Sequence, residues 1–593
     1  MYASCRNQEF ASSPIARLPV ELLSEIFSLC TLAAGEPSPG VENGNYSPPV
    51  ITTETVQVPI ILSSVNRRWR AVVLGQSTLW SNLCITAELI RDSELLDDGT
   101  QRTSKLNATQ ITSHLQRSRQ ASLNILIDAR DPEWNFSEVG VGIDFGDGPT
   151  LPALFSSEHM TAAVSLLVPH ISRWKSLTIL TDTWAPMHAA LSTINPSITA
   201  FGAPRLESMT LMRCNDFVSF SHQFQPRDLK EPLFLSRGSC SADTSSPLLP
   251  NLKHLSLRGV HVDWDSLGDA LAAARQMSGG SLTSLELTSH CSDVRPSIAQ
   301  FHKLLTSTPN LRTLMVTGSG PEIPDELDDV PRHQCDDKLE PVHLPQLQDI
   351  TIGYRTALEG RTILKFLDAP NSKTLVLEDA TYPAYPGEVN GGSMLNFLGS
   401  KEFVSRSGDN DTPSQSKEPS PSRAAFPLLE HVTLKSVKST PRPLRTFFSA
   451  LPRLHHLELV GMSMQAVYAL VPSSLPTSTC PCPQLRSLCI RDSEHLQVQD
   501  LDFIVGDLAV ERENRGACGL REVDIHVDSA RAARVASAAS PGTKVNIISD
   551  DEDEEEDYMD EDLDMDNVDP FKPGGAFNDP VFDEYYSTQV AAR

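Results

Sequence analysis

The 593-residue chain lacks any run approaching the ~18 uninterrupted apolar residues of a membrane-spanning helix. Its first residues, MYASCRNQEFASSP, contain no apolar core of the kind that marks a secretory leader. The cysteines number eleven, an odd count, and their scattered spacing gives no disulfide framework. A reduced compartment, cytoplasm or nucleus, is the expected location. Glycine is sparse beside proline, 31 against 43, so the chain is punctuated into short, loop-connected segments. No basic stripe stands out along the sequence, so neither nucleic acid nor a membrane is an expected partner.

Catalytic patterns are also missing. There is no G-x-S-x-G elbow, no H-E-x-x-H helix and no P-loop. Gly140, Gly142 and Gly146 in VGVGIDFGDGPT miss the dinucleotide spacing by one, and Pro149 opposes the helix that should follow, so this stretch reads as a loop. Cys480, Cys482 and Cys489, with His495 as the only added ligand, match no zinc spacing. His455 and His456 are neighbours on an expected strand, so one of them faces outward. No catalytic residue, metal or cofactor is expected, and the chain reads as a binding protein, not an enzyme.

What is present begins with charge. The formal net charge is −27, but residues 550–569 hold fourteen Asp or Glu and no Lys or Arg, so the remainder carries −27 + 14 = −13. Such a run repels itself and has no apolar stripe to fold around, so residues 541–593 are expected to be a disordered acidic tail. At its head, Val545, Ile547 and Ile548 abut Ser549 and the acids. This patch resembles a SUMO-interaction motif, which adds a strand to the modifier's sheet, and Ser549 reads as an acidophilic-kinase site. A plain solvating tail is the alternative.

The strongest internal signal is a repeat. A template P-x-L-x-x-L-x-L starts at Pro204, Pro250, Pro309, Pro345, Pro427, Pro452 and Pro483; SLTSLEL, KTLVLED and GLREVDI fit without the proline. Equivalent leading positions fall at 206, 252, 282, 311, 347, 372, 429, 454, 485 and 520, an irregular series. In each unit the leading residue packs at a turn and the next two apolar residues, two apart, face one side of a short strand, so stacked strands share a core. LQRSRQASLNILIDA and HISRWKSLTI look like earlier helix-then-strand units. Stretches 265–277, 295–307 and 442–451 have helical spacing and supply connectors, whereas Ser405 to Ala425 is too polar and proline-rich to join a core.

Ahead of the repeats, LPVELLSEIFSLC places Pro19 at a first helical position. Leu22, Leu23, Ile26 and Phe27 then fall on one stripe of an amphipathic helix of about three turns, opposite Glu21, Ser24 and Glu25. After Pro59, Leu62, Val65, Trp69 and Val72 recur on one helical face, and Leu79 and Trp80 follow the Gly75 break. Each such side chain needs a partner surface to realise ~1.5–3 kcal/mol of burial. One reading is that these helices cap the following domain.

The string Leu18-Pro19-x-Glu21-Leu22-Leu23-x-x-Ile26-Phe27, then Leu62-x-x-Val65-x-Arg67-x-Trp69-x-x-Val72 and Leu79-Trp80, resembles the F-box, especially that of the large fungal F-box families. The resemblance implies a three-helix motif docking on the Skp-type adaptor of a cullin–RING ubiquitin ligase, with Leu18, Pro19, Leu22, Ile26, Leu62, Val65 and Trp69 at contact or core positions. Residues 31–58 depart from it as a Pro/Gly/Ser-rich loop where an F-box has a shorter connection; such a loop costs little in closure entropy.

The expected architecture is α/β: residues 1–13 disordered, a three-helix F-box over 14–84, an irregular leucine-rich-repeat solenoid of short parallel strands with helical connectors over 104–530, and the acidic tail. The expected function is that of a substrate-recognition subunit, with the F-box on the adaptor and the repeats on a client protein. The alternative is a leucine-rich-repeat scaffold outside any ligase, its first helices serving only as a cap.

Overall fold

The computed structural model describes residues 14–33, 51–92, 104–131, 155–215, 221, 223–235, 247–323, 339–381, 389–401, 424–472, 480–491, 500, 503–527 and 544–549. Internal contacts divide the chain into two compact units, residues 1–378 with 425–429, and residues 379–424 with 430–593.

The first unit is a one-directional stack. Strands β1 (Asn82–Thr86), β2 (Leu123–Ala129), β3 (Trp174–Thr181), β4 (Ser208–Arg213), β5 (His254–Arg258), β6 (Ser284–Thr288), β7 (Thr313–Thr317), β8 (Asp349–Tyr354) and β9 (Thr374–Asp379) lie side by side in chain order. The pairs from β1 to β8 are parallel. A parallel neighbour requires a crossover, and helices supply several of these connections. They include α-helices Trp184–Phe201, Trp264–Ser278, Ile298–Ser307 and Ala357–Phe366.

Every template unit in this stretch becomes a strand, and its register follows from the turn ahead of it. Leu206, Leu252, Leu282, Leu311 and Leu347 are buried there. Ser372 occupies the sixth such slot, fully buried, and its hydroxyl donates to the Leu347 carbonyl at 3.2 Å, so the polar group is satisfied inside the core. The residue after each leading position joins a backbone ladder that precedes the strands: the Lys253 N–H donates to Glu207 at 2.7 Å, Arg312 to Thr283 at 2.7 Å, Gln348 to Arg312 at 2.8 Å. Asparagines brace the same turns. Asn251 donates to the Pro204 carbonyl, Asn310 to those of Gly279 and Gly280, and Asn371 to that of Pro345.

Spacing between repeats varies because the excess chain folds back onto the stack. In the long interval between positions 206 and 252, Phe224 sits edge-on to Trp184 at 5.0 Å, with the Arg213 guanidinium 5.7 Å from its ring, and the Trp184 indole donates to the Leu229 carbonyl.

Beyond the far ends of β6, β7 and β8 lies a buried polar knot. Glu359 is ion-paired with Arg295 at 3.4 Å and accepts the Gly320 and Arg355 N–H groups at 2.9 and 2.8 Å. Gly318, at φ +58°, lets the Arg355 guanidinium pass where a β-carbon would lie 2.8 Å from its Nε. His290 is wholly buried, 2.8 Å from the Ser319 hydroxyl through Nδ1 and 3.1 Å from the Val260 carbonyl through Nε2.

Burial pushes the His290 imidazole down to about 3 and that of His261 to about 4. The unfolded chain takes up these protons near 6.5, so below that value it binds more protons than the folded chain. Stability is therefore full above pH 6.5 and is lost as pH falls towards 4 and then 3. Acidification from pH 7 to 5 should lower the urea midpoint, with His290 contributing up to about 2 kcal/mol. His290→Gln should narrow the gap between midpoints at the two pH values; an unchanged gap would show that the histidine is not the titrating group.

The second unit repeats the scheme with β10 (His431–Lys435), β11 (His456–Val460), β12 (Ser487–Arg491), β13 (Glu522–Val527) and β14 (Lys544–Ser549), all parallel and in chain order. Arg512 is fully buried and donates to the carbonyls of Leu470, Pro481 and Cys482 at 3.0, 2.9 and 2.7 Å, closing turns whose acceptors lack strand partners.

The solenoid extends past its expected limits of 104–530 at both ends. β1 starts inside the 14–84 segment assigned to the helical motif and runs past it to Thr86. β14 lies inside the 541–593 segment expected as tail, because its backbone pairs in register with β13, Val545 beside Val523 and Ile547 beside Ile525. Residues 1–13, 405–423 and 550–593 lie outside the described residues.

Candidate docking surface on the N-terminal helices

Three α-helices precede β1: α1 (Val20–Ala33), α2 (Thr53–Val65) and α3 (Arg67–Gly75). Pro19 stands just before α1, where its carbonyl accepts the Leu23 N–H at 3.1 Å. Of the expected loop over 31–58, residues 31–33 are helical in α1 and 53–58 in α2, while 34–50 lie outside the described residues. Thr52 and Thr55 form a capping box, which starts the helix six residues ahead of Pro59. Pro59 is then an interior, buried helix residue, tolerated although it withholds one backbone donor.

The run from Leu62 to Val72 is two helices, not one. Asn66 interrupts it in extended conformation (φ −158°, ψ 172°), serving as C-cap of α2 and N-cap of α3, and its side chain accepts the Trp69 N–H at 2.9 Å.

Inside the helices is a small core of Leu23, Phe27, Val72, Val73, Leu79 and Trp80, with Leu18, Leu62 and Trp69 packed on it. Phe27 and Trp69 meet at 4.8 Å, and the Gln76 amide ties α3 to α1 through the Ser28 hydroxyl at 2.9 Å. Arg68 donates to the Leu18 carbonyl.

Trp80 joins this core to the solenoid. Its indole donates to the Val73 carbonyl at 2.9 Å, the Arg117 guanidinium lies 4.3 Å over its ring, and His114 is 5.0 Å away. The His114 Nε2 in turn lies 3.4 Å from the Val56 carbonyl, and burial lowers its imidazole so that it stays neutral. The helices thus cap the first strand, as the capping reading expected.

They also carry an outward apolar surface, and here the amphipathic expectation is corrected. Leu23 and Phe27 point into the core, but Leu22 and Ile26 point out, 52% and 37% exposed. With Leu29 they form a second stripe at i, i+4 and i+7, about a quarter turn from the first. On α2, Ile61 and Val65 form a similar exposed pair. Of the thirteen large apolar side chains exposed among the described residues, nine lie between Ile15 and Leu74: Ile15, Val20, Leu22, Ile26, Leu29, Ile60, Ile61, Val65 and Leu74.

The seven expected adaptor positions therefore separate. Leu18, Leu62 and Trp69 hold the helices together, whereas Pro19, Leu22, Ile26 and Val65 face solvent. Sequence reasoning missed Leu29, Ile60 and Ile61. An apolar residue on a wrong-facing helical position was the available signal.

The other singled-out residues are unremarkable in their settings. Burial pushes the thiols of Cys84 up to about 12 and of Cys214 and Cys291 to about 11, and raises Cys482 further, so all four stay protonated at neutral pH. No grouping of three or more metal-ligating side chains occurs among the described residues, and His495 lies outside them. His456 is half-buried with its Nδ1 2.9 Å from the Ser487 hydroxyl. Val545, Ile547, Ile548 and Ser549 belong to β14, which pairs along one edge with β13, so a modifier strand has only the opposite edge available.

No family model matches this chain, and no curated protein matches it. Among solved structures, a leucine-rich-repeat-containing protein of Legionella pneumophila, LegL7, is 14% identical, with 51% of this chain and 84% of that chain covered and a TM-score of 0.30. The yeast Rad7–Elc1 complex is 15% identical, with coverages of 67% and 84% and a TM-score of 0.31. A TLR13 complex with ssRNA13 is 14% identical, covering 65% and 44%, at a TM-score of 0.25. The chain itself has the fold of an irregular leucine-rich-repeat solenoid with a helical cap.

The two stripes of α1 predict opposite mutational outcomes. Phe27→Ala should lower stability by about 3–5 kcal/mol, whereas Leu22→Ala should cost under about 1 kcal/mol. Equal losses in chemical denaturation would mean that both stripes are interior.

Proposed function

We propose that this chain is the substrate-recognition subunit of a Skp–cullin–F-box type ubiquitin ligase: its N-terminal helices bind the Skp-type adaptor and its repeat units hold a client protein. The observation that carries this reading is the concentration of nine exposed large apolar side chains on residues 15–74. A helical element that only caps a solenoid needs a polar outer face for solubility. These helices bury one apolar stripe and expose another, the pattern of a surface awaiting a second protein. The resemblance of Leu18 to Trp80 to the F-box supports a Skp-type adaptor as that protein.

Ubiquitin transfer in such an assembly is carried out by other subunits, and this chain contributes proximity. The parallel-strand face of each unit is the natural surface for the client, being broad and lined by one side chain in two from every strand.

The rival reading is a scaffold that joins no ligase. Co-expression with the Skp-type adaptor separates them, using Leu22→Asp/Ile26→Asp in place of changes at core residues such as Leu18. The double variant should keep its unfolding midpoint and lose about 2–4 kcal/mol of adaptor affinity, roughly 30- to 1000-fold. Absence of adaptor binding in the unaltered chain, or indifference to the double change, overturns the ligase reading and leaves the scaffold.

A further inference from the structure

The end at which the strands of the first unit begin carries a row of cations in register. Lys175, Glu207, Lys253, Thr283 and Arg312 each stand one residue before the paired positions Ser176, Ser208, His254, Ser284 and Thr313, and Gln348 stands before Asp349. Lys373 completes the row, its N–H donating to the Gln348 carbonyl at 2.8 Å as the Glu207 N–H does to that of Lys175. Residues in register on parallel strands share a face, so the seven side chains line one edge. They alternate strictly: β3, β5, β7 and β9 supply Lys175, Lys253, Arg312 and Lys373, whereas β4, β6 and β8 place Glu207, Thr283 and Gln348 between them.

All four cations are exposed. Lys175, Arg312 and Lys373 have no ion pair and no side-chain hydrogen bond among the described residues. Lys253 meets Glu207 at 3.0 Å, an exposed pair that leaves further ammonium donors open. At the head of the row is a hollow of about 210 Å³ lined by Lys175, Arg205, Glu207 and Lys253 with Ser122 and Asn251, so three cations there face one carboxylate. Arg173, two residues before Lys175, is buried, and its Nε and Nη1 have no partner among the described residues. Burial and the Arg205 charge both push its guanidinium below the ordinary value. In a chain of net charge −27, an edge this short of counter-charge is a surface for an acidic ligand.

We propose that this edge binds an extended acidic segment of another protein, with carboxylates at every third residue. Spacing identifies the occupant. Neighbouring strands lie ~4.8 Å apart, so successive cations are ~9.6 Å apart and the row spans ~29 Å. A polyproline II segment rises ~3.1 Å per residue with three residues per turn, which puts acids at i, i+3, i+6 and i+9 on one side, ~9.3 Å apart over ~28 Å. Four carboxylates then meet four cations, the first of them at the hollow, where Lys175 and Arg205 outweigh Glu207. Nucleic acid fits less well, since a duplex carries a phosphate every ~3.4 Å along each strand and would leave about two in three facing no cation. The contact is made by exposed charges, so it weakens with salt and tolerates changes in the intervening residues. It uses the edge of the repeats alone and holds equally for a ligase subunit and for a scaffold.

The test uses the full chain and two fluorescent peptides of one composition, Glu-Pro-Ser-Glu-Pro-Ser-Glu-Pro-Ser-Glu and a permuted form with its four glutamates contiguous. At low salt, anisotropy should show the spaced peptide binding about fivefold more tightly than the permuted one. Binding should vanish at 0.5 M salt, where the screening length is only about 4 Å. Arg312→Glu/Lys373→Glu alters exposed residues, so it should keep the unfolding midpoint while weakening the spaced peptide about tenfold or more. Arg442→Glu/Arg445→Glu makes the same charge change on the helix Pro441–Ser449 of the second unit and should leave affinity within about twofold. No binding of the spaced peptide overturns the proposal, and so does equal affinity for the two peptides. Equal losses from the two double changes would mean that net charge alone is read, which also overturns it. A single-stranded oligothymidylate that binds more tightly than the spaced peptide, and is released by Arg312→Glu/Lys373→Glu, would make the row a nucleic-acid site instead.

Discussion

The template strands start from turns whose leading residue is buried, and in nine of them, from Glu207 to Arg521, the next N–H reaches back to the carbonyl of the preceding turn. Buried leucine and backbone bond act together. The apolar side chain fixes how deep each turn sits, and the bond fixes which residue of the new strand lies beside which residue of the old one. Since strand side chains alternate in facing, a slip of one residue would turn the core row outward, so the register set at the turn decides the whole repeat. Ser372 shows that depth matters more than apolarity: a serine serves in the slot because its hydroxyl finds the Leu347 carbonyl.

What lies between the turns is much freer. Repeat spacing varies widely because connecting chain only has to leave one turn and arrive at the next, and closure entropy rises slowly with length. The knot of Glu359, Arg295, His290 and Arg355 belongs to these freer regions. A buried ion pair is weak support for stability in itself, but here it accepts backbone N–H groups at Gly320 and Arg355 and so gives two irregular turns a single conformation.

Much of the fold was legible in the sequence because its governing pattern is local. All ten template units became strands, and the three helical connectors formed within a few residues of their expected limits. What escaped depends on partners distant in sequence. β1 and β14 lack the template and are strands because β2 and β13 offer an edge. The inward and outward stripes of α1 could not be told apart by periodicity, since Leu22, Leu23, Ile26 and Phe27 all fit a helix face; only the packing of Trp69, Val73 and Trp80 selects Leu23 and Phe27.

Because, among the described residues, each strand of the large sheet bonds only to its neighbours in chain order, β14 is held there along one edge, by β13. Its amides have the least cooperative protection of that unit's sheet, and fraying there precedes loss of any inner strand. The second unit should therefore open from its C-terminal end in steps, one strand at a time, as a zipper does. Anything that grips the residues beyond Ser549 pulls on the strand that yields first, so this chain has a built-in direction in which it comes apart.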